Sequence, residues 1–379
     1  MMIFSPKILI LEDVDQAQEL LRLAFLSENI AEDNLFVAGT VKKAQSLMRD
    51  HHFHGISIDQ RLPMDEQGAV IDDHGLAFTE LNKWPLTKKV IYTSFGKINF
   101  ANRAGFAGAE YRERAHVSDG GNKLSVYDYA VEFVRDLREH YVEKSLFAAS
   151  QLLPHTLALP ALKASDAKKA NNWADFFRNF SELRERLMKL TLGVTLAAVG
   201  KRPPWKNGLR AQEIEDALRQ LWRPVPFALR RFVSSPGWEP GEALFESLIS
   251  LRKLRNAVEH HDRGDYVAID YQDQHANIVA IVDLLAFYCE LPLMHGLRFH
   301  PSRRGLLSFQ RLGPNKALQD GIWEADFDPP RPDDSALYIP WRNQNGPELL
   351  QLSPWLTARR SSSFELEFHL LIGTKPEPL

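Results

Sequence analysis

Over residues 5–141, short apolar runs take turns with stretches whose apolar residues recur at helical spacing. Runs such as Lys7-Ile-Leu-Ile-Leu11 and His54-Gly-Ile-Ser-Ile-Asp59 are short, rich in branched residues and bounded by polar turns, as buried strands are. The pattern predicts strands at 7–12, 34–38, 54–59, 88–93 and 109–113, and helices at 14–27, 40–50, 73–83, 98–106 and 123–141. In the first helix Ala17, Leu20, Leu21, Ala24 and Phe25 fall on one face, which is expected to pack on the sheet. Alternating strands and helices imply a parallel sheet covered by helices.

Past residue 141 that rhythm is lost. Residues 142–172 are rich in Ala, Leu and Lys, Pro154 and Pro160 interrupt, and Asp166-Ala-Lys-Lys-Ala-Asn-Asn172 lacks an apolar face, so a linker is expected. From Trp173 the pattern is helical. Trp173, Phe176, Phe177, Phe180, Leu183, Leu187, Leu190 and Val194 form a stripe suited to a bundle core or a dimer seam. Further helices are expected at 210–222, 227–233, 242–261 and 274–291. The tail, 297–379, changes again: Pro329-Pro-Arg-Pro332 and Asp333-Asp334 separate short β-prone pieces, and Phe364-Glu-Leu-Glu-Phe-His-Leu-Leu-Ile372 alternates like a half-exposed strand. This small β-rich module carries Trp323, Trp341 and Trp355, read as core aromatics with a ligand platform as the alternative.

The 379 residues call for two or three domains, and 44% hydrophobic with 25% charged residues is the balance of a soluble globular chain. A net charge of −3 offers no global attraction to nucleic acid or anionic membrane, so any RNA contact must be local. Cys289 is the only cysteine, which rules out an intrachain disulfide and fits a reducing compartment. No stretch approaches ~20 consecutive apolar residues, and residues 1–7 lack the apolar centre of a signal peptide, so no membrane span and a cytoplasmic location are expected.

Chemistry first suggests itself at the strand ends. Asp59 follows one apolar run and the pair Glu12-Asp13 follows another, which is where open α/β sheets hold ligands. Three carboxylates brought together repel one another unless a divalent cation lies between them, and an all-oxygen donor set suits Mg2+. Pro63, with fixed φ and no N–H, is expected to end pairing after Asp59.

These residues resemble the receiver domain of two-component response regulators, over residues 5–141. The acidic pair is Glu12-Asp13, Asp59 stands in the place of the phospho-accepting aspartate, and a proline follows four residues later. Thr93 ends the next strand, and Tyr111 lies where receivers carry an aromatic switch residue. One position departs: Arg114 aligns with the family's lysine, and the proline that normally follows is Ala115. Arginine keeps the positive charge but presents a planar fork rather than a compact ammonium. The resemblance implies a flavodoxin-like five-stranded parallel sheet, phosphorylation at Asp59, and phosphoryl binding and switching by Thr93, Tyr111 and Arg114. It also implies Mg2+ held by Glu12, Asp13, Asp59 and the Arg61 carbonyl, and a histidine kinase or phosphotransfer protein as donor.

Two neighbouring stretches need their own reading. The enlarged loop Met64-Asp-Glu-Gln-Gly-Ala-Val-Ile-Asp-Asp-His74 brings Asp65, Glu66, Asp72 and Asp73 close to Asp59, and is expected to be a solvated acidic loop. The run His51-His52-Phe53-His54 alternates between faces, so its imidazoles cannot converge on one ion, and it is taken as surface leading into the core.

A second constellation lies in the helical region. Arg255, Asn256 and His260 sit near the end of the 242–261 helix, with Leu244, Leu248, Leu251, Leu254 and Val258 on its apolar stripe. Asn256 and His260, four apart, share a face. Arg-Asn-x-x-x-His within a helical bundle resembles the HEPN superfamily over residues 173–292. That resemblance implies a metal-independent ribonuclease site across a homodimer interface. In it His260 moves a proton at a ribose 2′-hydroxyl, Arg255 holds the scissile phosphate and Asn256 orients the histidine. The plainer reading is an Arg255–Glu259 helix pair with His260 and His261 capping carbonyls at the helix end.

The expected organisation is an α/β receiver at 1–141, a linker at 142–172, a HEPN-like all-α helical bundle at 173–296 and a β-rich C-terminal module at 297–379. Its function would be that of a response regulator whose phosphorylated receiver gates an RNA-cutting dimer. The alternative is a non-enzymatic signalling adaptor that uses the helices to dimerise or bind a partner. A transcription factor is disfavoured, since no basic recognition helix is found.

Overall fold

The structure is a computed structural model. It describes residues 4–81, 86–94, 98–114, 124–199, 268–290, 293–299, 306–312, 318–324, 336–343, 346–353, 356–360, 366–372 and 375–378. The chain divides into two compact units, with the division between Ser145 and Leu146.

The N-terminal unit is built on five parallel strands, β1 (Ile8–Leu11), β2 (Leu35–Ala38), β3 (Gly55–Ile58), β6 (Lys88–Thr93) and β7 (Glu110–Glu113), in the order β2-β1-β3-β6-β7. Counting those five strands alone, this is the 2-1-3-4-5 order of flavodoxin-like sheets. Strands β1 and β3 are buried throughout, which explains why they read as unbroken apolar runs. Helices α1 (Asp15–Ser27), α2 (Val41–Asp50), α3 (His74–Leu81), α4 (Ile98–Phe106) and α5 (Val126–Ser150) accompany them. The starts of α2 and α5 carry side-chain caps: Thr40 Oγ1 accepts from the Lys43 N–H at 3.1 Å, and Ser125 Oγ from the Asp128 N–H at 3.1 Å. The buried face of α1 is Leu21, Ala24 and Phe25. Leu20, expected on that face, is 42% exposed, because the stripe the sheet covers is narrower than the apolar run.

The stretch 142–172, expected as a linker and containing the division between the units, is helical: α5 runs on to Ser150, and α6 (His155–Lys169) follows with Pro160 inside it. Pro154 precedes the first turn of α6. Ala158, Ala161 and Ala164 form a small-residue face that lets the helix pack closely, which a search for large apolar residues passes over. Pairing does end at Pro63, but as the last residue of β4 (Leu62–Pro63), which forms an antiparallel hairpin with β5 (Val70–Ile71) in the enlarged loop. Finally, His54 is buried, not at the surface. Its Nδ1 accepts from the Lys7 N–H at 2.8 Å, and its ring meets Phe4 and Tyr141 edge-on.

In the second unit, α7 (Trp173–Val199) starts at the cap Asn172, whose Oδ1 accepts from the Asp175 N–H at 3.2 Å. Its stripe of Phe176, Phe177, Phe180, Leu183, Leu187, Leu190 and Val194 is buried within the chain. Helix α8 (Ala268–Glu290) meets it through Thr191 and Tyr288, whose hydroxyls lie 2.7 Å apart. The remainder is β: an antiparallel sheet of β8 (Met294–Phe299), β9 (Leu306–Leu312), β10 (Leu318–Glu324), β11 (Leu337–Asn343) and β12 (Gly346–Gln351), ordered β10-β9-β8-β11-β12. A three-stranded antiparallel sheet of β13 (Leu356–Arg360), β14 (Leu366–Ile372) and β15 (Lys375–Pro378) accompanies it. Arg255, Asn256 and His260, the helices expected at 210–261 and the side chains of Trp323, Trp341 and Trp355 lie outside what is described. Among the described residues, no helix is long and apolar enough to cross a membrane.

Candidate functional site

Strands β1 and β3 are adjacent and in register, Leu11 opposite Ile58, so the residues that follow them leave the sheet side by side. Glu12 and Asp13 follow β1, and Asp59 follows β3. One carboxylate oxygen from each of the three lies within 4.8 Å of the others. The Asp59 N–H donates to the Leu11 carbonyl at 2.7 Å, which ties the two strand ends together. Glu12 and Asp59 are both buried, while Asp13 is half-buried.

The two buried carboxylates influence each other. Burial raises the Glu12 pKa and Asp59 raises it further, with Arg114 acting in the opposite direction. Burial also raises the Asp59 pKa, opposed by a hydrogen bond from the Thr93 hydroxyl, the charge of Arg114, and main-chain N–H groups of Gln60 and Arg61. The Arg61 N–H donates to Asp59 Oδ2 at 3.2 Å. Thr93 is fully buried at the end of β6, the next strand over.

Arg114 follows β7, and its main-chain N–H donates to the Thr93 carbonyl at 2.8 Å. Its Nη2 donates to Glu12 Oε2 at 2.7 Å, with the two side chains 17% and 3% exposed. Arg114 thus holds one of the acidic pair. Tyr111, half-buried in β7, donates its hydroxyl to Gln60 Oε1 at 3.3 Å. Gln60 did not stand out in the sequence, nor did Tyr92 and Tyr129, the rings that lie beneath Arg114. No periodicity or motif marks a contact between residues so far apart in the chain.

The rim is more structured than a solvated loop. On the β4–β5 hairpin and the turn after it, Asp65 pairs with Lys42 at 2.7 Å, Asp72 with Arg61 at 3.1 Å and Asp73 with Arg103 at 3.3 Å. Met64, Val70 and Ile71 are exposed on the same hairpin. A cavity of about 370 Å³ lies elsewhere in this unit, lined by residues of β6, β7 and α5 that include Lys88, Glu110 and Asp136. There Lys88 is neutralised by Asp136 at 2.7 Å and Glu110 at 3.3 Å.

No protein-family model matches the chain, and no curated protein does. Solved structures match about a third of it, among them response-regulator receiver domains. The beryllofluoride-activated NtrC4 receiver domain dimer is 20% identical, covering 35% of this chain and 97% of that one, with a TM-score of 0.28. A CheY-like receiver domain protein from Methanospirillum hungatei JF-1 is 18% identical, covering 35% and 94%, with a TM-score of 0.28. The signal receiver domain of an HD domain-containing protein from Pseudomonas fluorescens Pf-5 is 15% identical, covering 36% and 98%, with a TM-score of 0.29.

Proposed function

We propose that the N-terminal unit is a phosphoryl-accepting receiver and that Asp59 is its acceptor. The observation that carries this reading is the meeting of Glu12, Asp13 and Asp59 within 4.8 Å beyond adjacent parallel strands, with the Thr93 hydroxyl on Asp59. An Asp59 carboxylate oxygen attacks phosphorus, the bond to the donor's leaving group breaks, and that group departs with the electron pair. The donor is a histidine kinase or a phosphotransfer protein, which places the chain in the cytoplasm.

The donor set fits Mg2+, being all oxygen and largely carboxylate. Glu12, Asp13, Asp59 and the Arg61 carbonyl would hold it, and it would supply charge neutralisation to the transferred phosphoryl group. This chain's own residues do the rest. The Thr93 hydroxyl and the Arg61 N–H orient the Asp59 carboxylate, and the guanidinium of Arg114 offers a planar donor to phosphoryl oxygens. Thr93 and Tyr111, on neighbouring strands, carry the state of Asp59 outward, and Gln60 holds the Tyr111 hydroxyl in the unphosphorylated state.

For the output we propose a HEPN-like ribonuclease acting as a homodimer, with Arg255, Asn256 and His260 in the roles set out above. Its support is the sequence motif. The test has two parts. Intact mass should rise by one phosphoryl group when the chain meets acetyl phosphate and Mg2+, and Asp59→Asn should abolish the rise; no adduct on wild type would overturn the receiver assignment. RNA cleavage should depend on His260 and on the phosphodonor. Cleavage unaltered in His260→Ala would remove the ribonuclease, and a phosphodonor-driven change in oligomeric state with RNA intact would favour the adaptor.

A further inference from the structure

Both carboxylate oxygens of Glu12 already accept a hydrogen bond. Its Oε1 accepts from the Val14 N–H at 3.3 Å and its Oε2 from Arg114 at 2.7 Å. The acidic pocket is therefore already provided with a cation, and that cation is part of the chain. Arg114 is held on its other side as well: its guanidinium lies 4.9 Å from the centre of the Tyr92 ring. Tyr92 stacks face to face on Tyr129 of α5, with ring centres 3.9 Å apart and planes at 4°. Both tyrosines are buried and anchored, Tyr92 donating to the Leu124 carbonyl and Tyr129 to Ser57 Oγ, each at 2.9 Å.

Arg114 Nε is buried and has no hydrogen-bond partner among the described residues. Among them the guanidinium is held by Glu12, by the Tyr92 ring face and by the Tyr92 carbonyl, to which Nη2 donates at 3.4 Å, and what draws Glu12 away weakens its hold. A divalent cation does that, since it needs the same carboxylate and repels a guanidinium beside it.

Resting on the receiver reading above, we propose that Arg114 is a resident counter-cation that competes with the divalent metal for Glu12. Metal entry frees the guanidinium from Glu12, making it available to a phosphoryl group on Asp59. The Tyr92–Tyr129 stack beneath it registers the release at α5. Arg114 here is a positioning residue, setting how readily the pocket takes metal.

The test is Mn2+ binding to the full chain, followed by loss of the free-ion electron paramagnetic resonance signal. Arg114→Gln and Arg114→Ala should each bind Mn2+ more tightly than wild type, by on the order of tenfold for removal of one adjacent like charge. Asp13→Asn should weaken binding in every background. Wild type and both variants binding with equal affinity, or the variants binding more weakly, would overturn the counter-cation and leave the receiver standing. No Mn2+ binding by any of them would overturn both. A wild-type measurement covers the case of a variant that does not fold. With 15N-arginine label, the Nε–H resonance of Arg114 should shift as Mg2+ saturates. If every arginine resonance stays in place through saturation, the displacement does not occur.

Discussion

A Cβ atom on Gly75 would lie 2.0 Å from the main-chain carbonyl oxygen of Asp59, closer than any real contact. Helix α3 thus begins in backbone contact with the segment that carries Asp59, and the Gly75 N–H donates to the Gln60 carbonyl at 3.1 Å. Gly75→Ala must push one of the two backbones away. The expected cost is about 1–3 kcal/mol of stability, the range for overpacking. Phosphorylation at Asp59 should fall by more than that loss accounts for. Urea unfolding read beside the rate of phosphoryl incorporation checks both.

Tyr129 contributes a ring and a hydroxyl that separate cleanly. Tyr129→Phe removes the bond to Ser57 and should cost about 1 kcal/mol. Tyr129→Ala also removes the ring from its stack with Tyr92 and from contact with Phe25 and Phe133, and should cost roughly 3–5 kcal/mol. Denaturation midpoints of the two variants give the comparison, and equal midpoints would mean that the stack contributes nothing.

Lys89 is a buried amine facing the α4–β7 turn. It is 3% exposed and donates to the Ala107 carbonyl at 2.8 Å, and burial lowers its pKa to about 8. Since the unfolded chain holds that proton up to the ordinary lysine range, the penalty for burying the charge is complete below pH 8. It is relieved as pH rises from about 8 toward 10.5. A depression of this size corresponds to roughly 3 kcal/mol, of which the lost Ala107 bond takes back about 1. Lys89→Met should therefore stabilise at pH 7 and lose its advantage by pH 10, as chemical denaturation at the two pH values can read.

His275 carries the opposite pH signature in the second unit. Burial lowers its pKa to about 4, and the charge of Lys168 acts in the same direction. The folded state keeps the ring neutral where the unfolded chain protonates it, so stability should fall as pH drops from 6.5 through 4. With the side chain partly exposed, the loss should be about 2 kcal/mol. Calorimetry at pH 7 and pH 4.5 should show a smaller drop for His275→Gln than for wild type.

Much of the N-terminal unit was legible because buried parallel strands leave short, unbroken apolar runs. Ile8–Leu11 and Gly55–Ile58 are such runs, and the polar residues that follow them mark the sheet edge. What escaped reading depends on pairs distant in the chain or on small residues. Arg114 and Glu12 are 102 positions apart, and their contact follows only from the strand order. The helices within 142–172 leave little trace in the sequence because they pack through alanines around Pro160, which carry little periodic signal. The alternation of the 51–54 run suggests a surface position for His54, whereas the Lys7 N–H and two aromatic neighbours satisfy its ring inside.

Besides the main-chain bond from the Lys42 N–H to the Met64 carbonyl at 3.0 Å, ion pairs tie the hairpin beside Asp59 to Lys42, to Arg61 and, through the turn after it, to Arg103. Exposed ion pairs weaken as the Debye length shrinks to about 3 Å in molar salt. Arg61 is anchored at one end through Asp72 and at the other through Asp59, so screening slackens the strand tip nearest Asp59. Ionic strength therefore tunes how rigidly this edge of the sheet is set, apart from its direct effect on any ion held there.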